Sequence, residues 1–473
     1  MPIRSDKPVV QRPIISVVVP TRDRPETLMV CLAALARHQS PLIEIVVQDN
    51  CSRRETADVV DAAIKLDSRV RYARAPYPTS QRHNFELGLA AATGDYLTII
   101  GDDDGFCLGS LDWLIERLQE KPADAVRWKL IHYVWPSLST DGEGFVRVYA
   151  SHCYGGWRYG SSKQIAASTL AAQNIGSWDN VLVYHGMISR VLYDRMRAKT
   201  NGVFFPYPMP DVYAHNIIAF HCDSLLQVDN PVSIYGTSGH SAGVSWSRVV
   251  TNNEGDSGAD AGQKWITESR DDPVANTVHW QPNIRTLRYH DMRALEVAKE
   301  HGLLPDDATV DRNLWTNAIL EEIKKQPWSL APWLTAEPSA PYDEELFRIV
   351  RQTFSHLIGK APKPPLAKYE PDYPGTLIRI RHLNRGFNDD VEGAMLAIEA
   401  AMDDGGSVYK VQSQTRSERS SFLRPWMINA YDRAPTALRR LVGHAMPNNF
   451  IFNMRQAQIS KRLVKIKRAF EKS

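Results

Sequence analysis

Three successive carboxylates, Asp102, Asp103 and Asp104, stand between Gly101 and Gly105, directly after the apolar run Tyr96 to Ile100. Adjacent carboxylates repel one another, so a triad at the end of a buried-type strand calls for a shared cation, and a hard divalent ion with oxygen ligands is the natural one. In an extended segment alternate side chains point the same way, which would let Asp102 and Asp104 converge on one ion while Asp103 faces elsewhere. The bland alternative is a solvated acidic turn. A second short pattern, Gly239-His240-Ser241-Ala242-Gly243, spells the nucleophile elbow of an α/β-hydrolase with Ser241 as nucleophile.

The elements around these residues read as alternating strands and helices. Ile14 to Val19 is a β-branched run ending at Pro20, and a helix-like stretch follows from Thr27 to Arg37 with Leu28, Cys31, Leu32 and Leu35 at helical spacing. The unit recurs: strand Ile43 to Val47, helix Thr56 to Leu66, strand Val70 to Ala73, helix His83 to Ala92, strand Tyr96 to Ile100, helix Leu111 to Gln119 and strand Ala125 to Tyr133. This alternation predicts an α/β fold with a mostly parallel sheet covered on both faces, and ligands in such sheets sit beyond the carboxyl ends of the strands. Pro20, Asp49 and Asp102 fall at those ends. The run TNNEGDSGADAG, Thr251 to Gly262, has no apolar side chain larger than alanine and reads as a mobile loop. The expected division is residues 1–263 as the catalytic domain, 264–360 as a helical extension, 361–374 as a Pro-rich linker and 375–473 as a helical C-terminal region.

Composition narrows the function classes. A net charge of +2 over 473 residues gives no general reason to bind nucleic acid. Five cysteines, an odd number without Cys-x-x-Cys spacing, suit a reducing cytoplasm. No stretch reaches the roughly 18 apolar residues of a membrane span, and the first residues lack the apolar core of a signal peptide. The expected location is therefore the cytoplasm or the inner face of the cytoplasmic membrane. The basic charge gathers at the end, where Ile459, Leu463, Ile466 and Phe470 share one helical face and Lys461, Lys465, Arg468 and Lys472 another. Such a helix could lie on an anionic leaflet, or pack its apolar face on the protein or on a second copy in a homo-oligomer.

The segments VVVPTRDRPETL, EIVVQDNCS and QRHNFELGLAAATGDYLTIIGDDD, in this order, resemble the family-two inverting glycosyltransferases of the GT-A fold, a Rossmann-like mixed sheet, over about residues 13 to 245. The resemblance implies a nucleotide-sugar site at Pro20, Thr21, Arg22 and Asp49, with Asp49 accepting from the base, Arg82 facing a phosphate and Asn84 beside it. It implies that Asp102, Asp103 and Asp104 form the Asp-x-Asp motif, with Asp102 and Asp104 holding Mn2+ or Mg2+ against the donor diphosphate. A late histidine serves some members as a third metal ligand, which nominates His240. Asp211, in Pro210-Asp211-Val212-Tyr213, matches the family's general base, although an aspartate there could equally cap a helix, as Asn84 could. The implied activity is transfer of a sugar, from a UDP-sugar above all, to a hydroxyl of a glycan or lipid-linked glycan acceptor in surface polysaccharide synthesis.

Two other readings stay open. A hydrolase built on Ser241 would need a following acid and histidine, for which Asp256, Asp260, His279 and His290 are available, but no His-Gly-Gly oxyanion segment precedes it. A glycosyltransferase-like scaffold without turnover would have no need of the acids. In the second half, Trp265, Trp280, Trp315, Trp328 and Trp333 could stack on sugars or fill a core.

Overall fold

The computed structural model describes residues 12–140, 142–147, 156–173, 180–241, 243, 258–338, 341–363, 369 and 390–402. Strands β1 (Ile15–Thr21), β2 (Ile43–Asp49), β3 (Val70–Arg74) and β4 (Tyr96–Ile99) alternate with helices α1 (Pro25–Ala36), α2 (Arg54–Leu66) and α3 (Gln81–Ala91). They form the parallel half of a sheet in the order β3-β2-β1-β4. β1 and β2 are buried along their whole length, which is why their apolar residues do not alternate with solvent-facing ones; the polar Ser16 and Glu44 are buried too, and Ser16 Oγ donates to Glu44 at 2.5 Å.

The sheet continues through elements with weaker sequence signals. A three-residue strand, β9 (Met187–Ser189), lies antiparallel between β4 and β6 (Ala125–Val134), and the long β10 (Leu225–Thr237) runs parallel to β6. The two-residue β5 (Gly105–Phe106), immediately after the acidic triad, pairs with β10 and brings the triad against the end of that strand. The outcome is the α/β, mostly parallel mixed sheet expected of the N-terminal half, followed by helices.

Period-two alternation divides the packing. Ile15, Val17 and Val19 enter the apolar cluster beneath α1 and α4 (Ser110–Glu120), whereas Val18 enters the cluster on the opposite face with Phe85 and Leu89 of α3. The second cluster does not stop at the sheet. It runs through Phe205, ahead of α7 (Pro210–Ile217), and Tyr213 within that helix, and on to Leu295, Trp315, Trp333 and Phe347 of the later helices. Trp315 and Trp333 are core residues, Trp280 is buried with them, and Trp265 packs at the margin.

The stretch expected as a loop at Thr251 to Gly262 is helical from Gly258, where α8 (Gly258–Asp271) begins; residues 251–257 lie outside the described part. Most of the Pro-rich stretch 361–374 lies outside it too, as does the basic segment Ile459 to Lys472. Between them the helix Val391–Met402 docks on α1, with Glu392 accepting from Arg37 at 2.7 and 2.9 Å and Val391, Ala394 and Met395 buried. Among the described residues no helix is long and apolar enough to cross a membrane.

Candidate active site

The carboxyl ends of β2, β1 and β4 bring three of the predicted residues side by side. Thr21 pairs in register with Asp49 across β1 and β2, and its hydroxyl donates to Asp102 Oδ2 at 2.6 Å. Strands about 4.8 Å apart thus set Asp49, Thr21 and Asp102 in a row roughly 10 Å long. Three of the five left-handed non-glycine residues in the described part lie at this edge: Asp23, Cys51 and His185, each close to one of these residues or to Asp104, hold φ of 51°, 56° and 54°, while Ala172 and Asn201 lie elsewhere. A left-handed conformation costs a non-glycine residue on the order of 1 kcal/mol or more, and such costs concentrate at functional sites.

The acidic triad is a turn, not an extended segment. Asp104 N–H donates to the Gly101 carbonyl at 3.2 Å, so the three side chains diverge. Asp102 faces β1, where it accepts from Thr21 and, at 3.2 Å, from Arg24 Nη1. Asp103 Oδ2 accepts from the hydroxyls of Ser238 at 2.6 Å and Ser241 at 2.7 Å. Burial, and after it the charges of Asp104 and Asp102, push the Asp103 carboxyl up to about 7. Asp104 is fully buried: Oδ2 accepts from Gly101 N–H at 2.6 Å and from Tyr184 Oη and His185 Nε2 at 2.9 Å each, and Oδ1 accepts from Gly236 N–H at 2.7 Å. Three donors leave Oδ2 fully engaged, and Oδ1 keeps one acceptor position in a side chain with no exposed surface.

That arrangement does not fit the expected metal set of Asp102, Asp104 and His240. Asp104 is fully buried with Oδ2 engaged by three protein donors and Oδ1 by one, and the cation on Asp102 is a guanidinium. His240 stands exposed on the rim, where its carbonyl accepts from Arg24 Nη2. Among the described residues no three His, Cys, Asp or Glu side chains converge as ligands would.

Other predicted residues also sit differently from expectation. The carboxylate of Asp49, with no exposed surface, is held by Ser52 N–H at 2.8 Å, Tyr72 Oη at 2.6 Å and Arg74 Nη1 at 2.8 Å. Arg82 is sealed in the interior, its Nε and Nη2 on Asp272 at 2.7 and 3.1 Å and its Nη1 on the Phe205 carbonyl at 3.3 Å. Asn84 neither caps α3, whose N-cap is Ser80, nor reaches the edge; it exchanges hydrogen bonds with Gln48 on β2 at 3.2 and 3.3 Å. Arg22 is paired at 2.7 Å with Glu268 of α8. Pro20 lies buried within the end of β1.

Asp211 falls in the first turn of α7 behind Pro210, and the N-cap position belongs to Met209. Its side chain is exposed, yet the protein around it removes enough water to raise its carboxyl, an effect the nearby N–H of Val212 and His215 oppose. That exposure leaves Asp211 within reach of a substrate. The chain before α7 is tied to the base of α3, because Glu86 accepts from Phe204 and Phe205 N–H at 2.8 and 3.0 Å. Ser241, by contrast, spends its hydroxyl on Asp103 and accepts from Ser238 N–H at 2.9 Å, while His290 is fully buried between Tyr207 Oη and the Ile284 carbonyl. This is a loop anchor for the acidic turn and not a nucleophile elbow.

Sequence reading missed Arg24, Tyr184, His185 and Ser238. Arg24 carried a signal, being the second arginine of Thr-Arg-Asp-Arg-Pro at the start of α1; the others reach the turn from 80 or more positions away.

The acidic turn sits at the strand edge of an α/β domain with a mostly parallel sheet covered on both faces. Residues 16–139 match Glycosyl transferase family 2. Glycosyltransferase GlyG of Streptococcus pneumoniae is 29% identical over 120 residues, covering 25% of this chain and 40% of that protein. The GalNAc(5)-diNAcBac-PP-undecaprenol beta-1,3-glucosyltransferase of Campylobacter jejuni is 31% identical over 109 residues, 23% of this chain and 35% of that protein. The chain therefore spans two-fifths or less of the length of these curated relatives. Among solved structures, S. aureus TarS 1-349 in complex with UDP-GlcNAc has 14% identity and a TM-score of 0.38, over 72% of this chain and 92% of that one. Mannosyltransferase PcManGT from Pyrobaculum calidifontis, in complex with GDP-Man and Mn2+, has 13% identity and a TM-score of 0.38, over 74% and 82%.

Proposed function

We propose that this chain is an inverting glycosyltransferase that moves a sugar from a nucleoside-diphosphate donor, a UDP-sugar first, to a hydroxyl of a glycan or lipid-linked glycan in surface polysaccharide synthesis. The observation that carries the reading is the row Asp49, Thr21 and Asp102 at adjacent strand ends, inside the stretch that matches the family. The Campylobacter relative, named for a lipid-linked glycan, supports the acceptor class.

In this reading Asp211 is the base. The acceptor hydroxyl attacks the anomeric carbon, its proton passes to the Asp211 carboxylate, and the bond to the diphosphate oxygen breaks with its electron pair leaving on the nucleotide. One displacement inverts the configuration. The carboxyl's upward shift moves it toward the range in which a base works, and its exposure lets an acceptor reach it. No step is assigned to Mn2+ or Mg2+, because Asp104 and His240 do not fit as ligands. The basic C-terminal segment, whose apolar and basic residues recur at helical spacing in the sequence, would bring the enzyme to the inner membrane face beside a lipid-linked acceptor.

Ligands that bind the native state alone raise its stability. A screen of UDP, GDP, ADP, CDP and dTDP should therefore raise the melting temperature with one or two of them, by an amount matching about 3 kcal/mol at a hundredfold excess over Kd. Indifference to every nucleoside diphosphate, with and without Mn2+, would defeat the proposal.

A further inference from the structure

The donor of the proposed reaction carries two phosphates and must come to rest beside a turn that bears three carboxylates. Like charges at such range are prohibitive without a cation between them. Five arginines lie near the strand ends; Arg53 is three-quarters exposed and turns to Asp23 at 3.5 Å, away from Asp102, and three others are committed elsewhere. Arg22 is paired with Glu268, Arg74 with Asp49 and the Ser52 carbonyl, and Arg82 with Asp272 deep in the interior.

Arg24 differs. It stands at the N-cap of the 12-residue α1, with Nη1 on Asp102 and Nη2 on the His240 carbonyl. The Asp102 side chain is 1% exposed and that of Arg24 is 27% exposed, so a ligand arriving at this edge meets the guanidinium before the carboxylate. A guanidinium has five N–H donors in a planar fork that suits phosphate, and the two contacts leave the others available. The positive end of α1 adds to the same field. Burial works against the charge of Arg24, but Asp102 and Asp103 hold it firmly protonated.

We propose that Arg24 is the resident cation of the donor site: anchored by Asp102 and the His240 carbonyl, it turns its remaining N–H groups to the donor diphosphate, so that a nucleoside diphosphate binds without a divalent metal. The inference rests on the glycosyltransferase reading. It makes Asp102 the seat of an arginine and His240 a backbone anchor.

Calorimetric titration of UDP and GDP into the full chain, in EDTA and then in Mn2+, tests it. The favoured nucleotide should bind in EDTA within about threefold of its affinity in Mn2+. Arg24→Gln, which keeps hydrogen bonding to Asp102 but not charge, should weaken that binding tenfold or more, about 1.4 kcal/mol. The parent nucleoside, lacking phosphates, should bind wild type and variant alike. Arg24→Lys keeps the charge and should recover most of the loss, which separates electrostatics from packing. Binding that appears only with Mn2+ and ignores Arg24→Gln overturns the inference while leaving the transferase reading intact, as does a lysine variant no better than the glutamine one. If neither nucleotide binds in any buffer, the donor-site reading itself fails.

Discussion

At the scale of single residues, the acidic triad divides its labour. Asp102 meets the surface through Arg24, Asp103 holds the Ser238–Ser241 loop, and Asp104 ties the turn to β10 and to the Tyr184-His185 pair. Gly236 is the point on which this turn depends. A Cβ built there would lie 1.8 Å from the Asp103 carbonyl oxygen and 2.9 Å from Trp135 Nε1, and the first of these is backbone that cannot swing aside. Gly236→Ala should therefore cost about 2–3 kcal/mol, in the upper range of overpacking, read as a lower urea midpoint with unchanged slope. A variant as stable as wild type would mean that the turn is looser than described. Asp49, Thr21 and Asp102 were legible from sequence because a strand end is set by the local apolar run before it. The roles of Asp104 and Arg24 were not, since a carboxylate's partners here arrive from Tyr184, His185 and Gly236, over separations that leave no periodic trace.

At the scale of elements, the joint between α3 and the segment after α8 is the ion pair of Arg82 and Asp272, with side chains 3% and 1% exposed. Ser80 also donates to Asp272, and Trp265 of α8 donates to Gln81 at 3.0 Å. Burial alone would raise the Asp272 carboxyl, but hydrogen bonds and charge from Arg82, then Ser80, pull it below the ordinary range. Removing one partner of a buried pair strands the other, so Asp272→Ala should cost about 3–5 kcal/mol near pH 7. The sign with pH follows from the lowered folded value. The pair's contribution is complete above the unfolded pKa of about 3.9 and disappears as pH falls through the folded one, so the gap between wild type and variant should close in acid and not in base. Thermal melts from pH 7 down to 3 would show it; a gap that is constant with pH would remove the ion pair from the account. Sequence named Arg82 but gave it to a phosphate, because 190 positions separate it from the acid that claims it. The parallel strands and their helices, by contrast, were legible to within about two residues at each end, since each is specified by its own hydrophobic period. The short β9 and the pairing of β5 with β10 have no such period and emerge only from tertiary packing.

At the scale of the whole molecule, the helices between residues 287 and 353 share one apolar cluster with α3, α7 and the face of the sheet that Val18 enters. Asp211 is positioned by that arrangement: α7 packs against the helix Leu287–Glu300, where His215 and Asn216 reach Asp291 at 2.8 and 2.9 Å. The helical region thus buttresses the element that presents the proposed base. Phosphorus NMR of the full chain with a panel of nucleotide sugars and a lipid-linked or oligosaccharide acceptor measures the central claim most directly. Nucleoside diphosphate should appear in step with glycosylated acceptor, with a rate that rises with pH through a midpoint above the ordinary aspartate value, and Asp211→Asn should slow it about 100- to 10,000-fold while leaving nucleotide binding unchanged. Consumption of no nucleotide sugar, or diphosphate release indifferent to Asp211→Asn, would contradict the account.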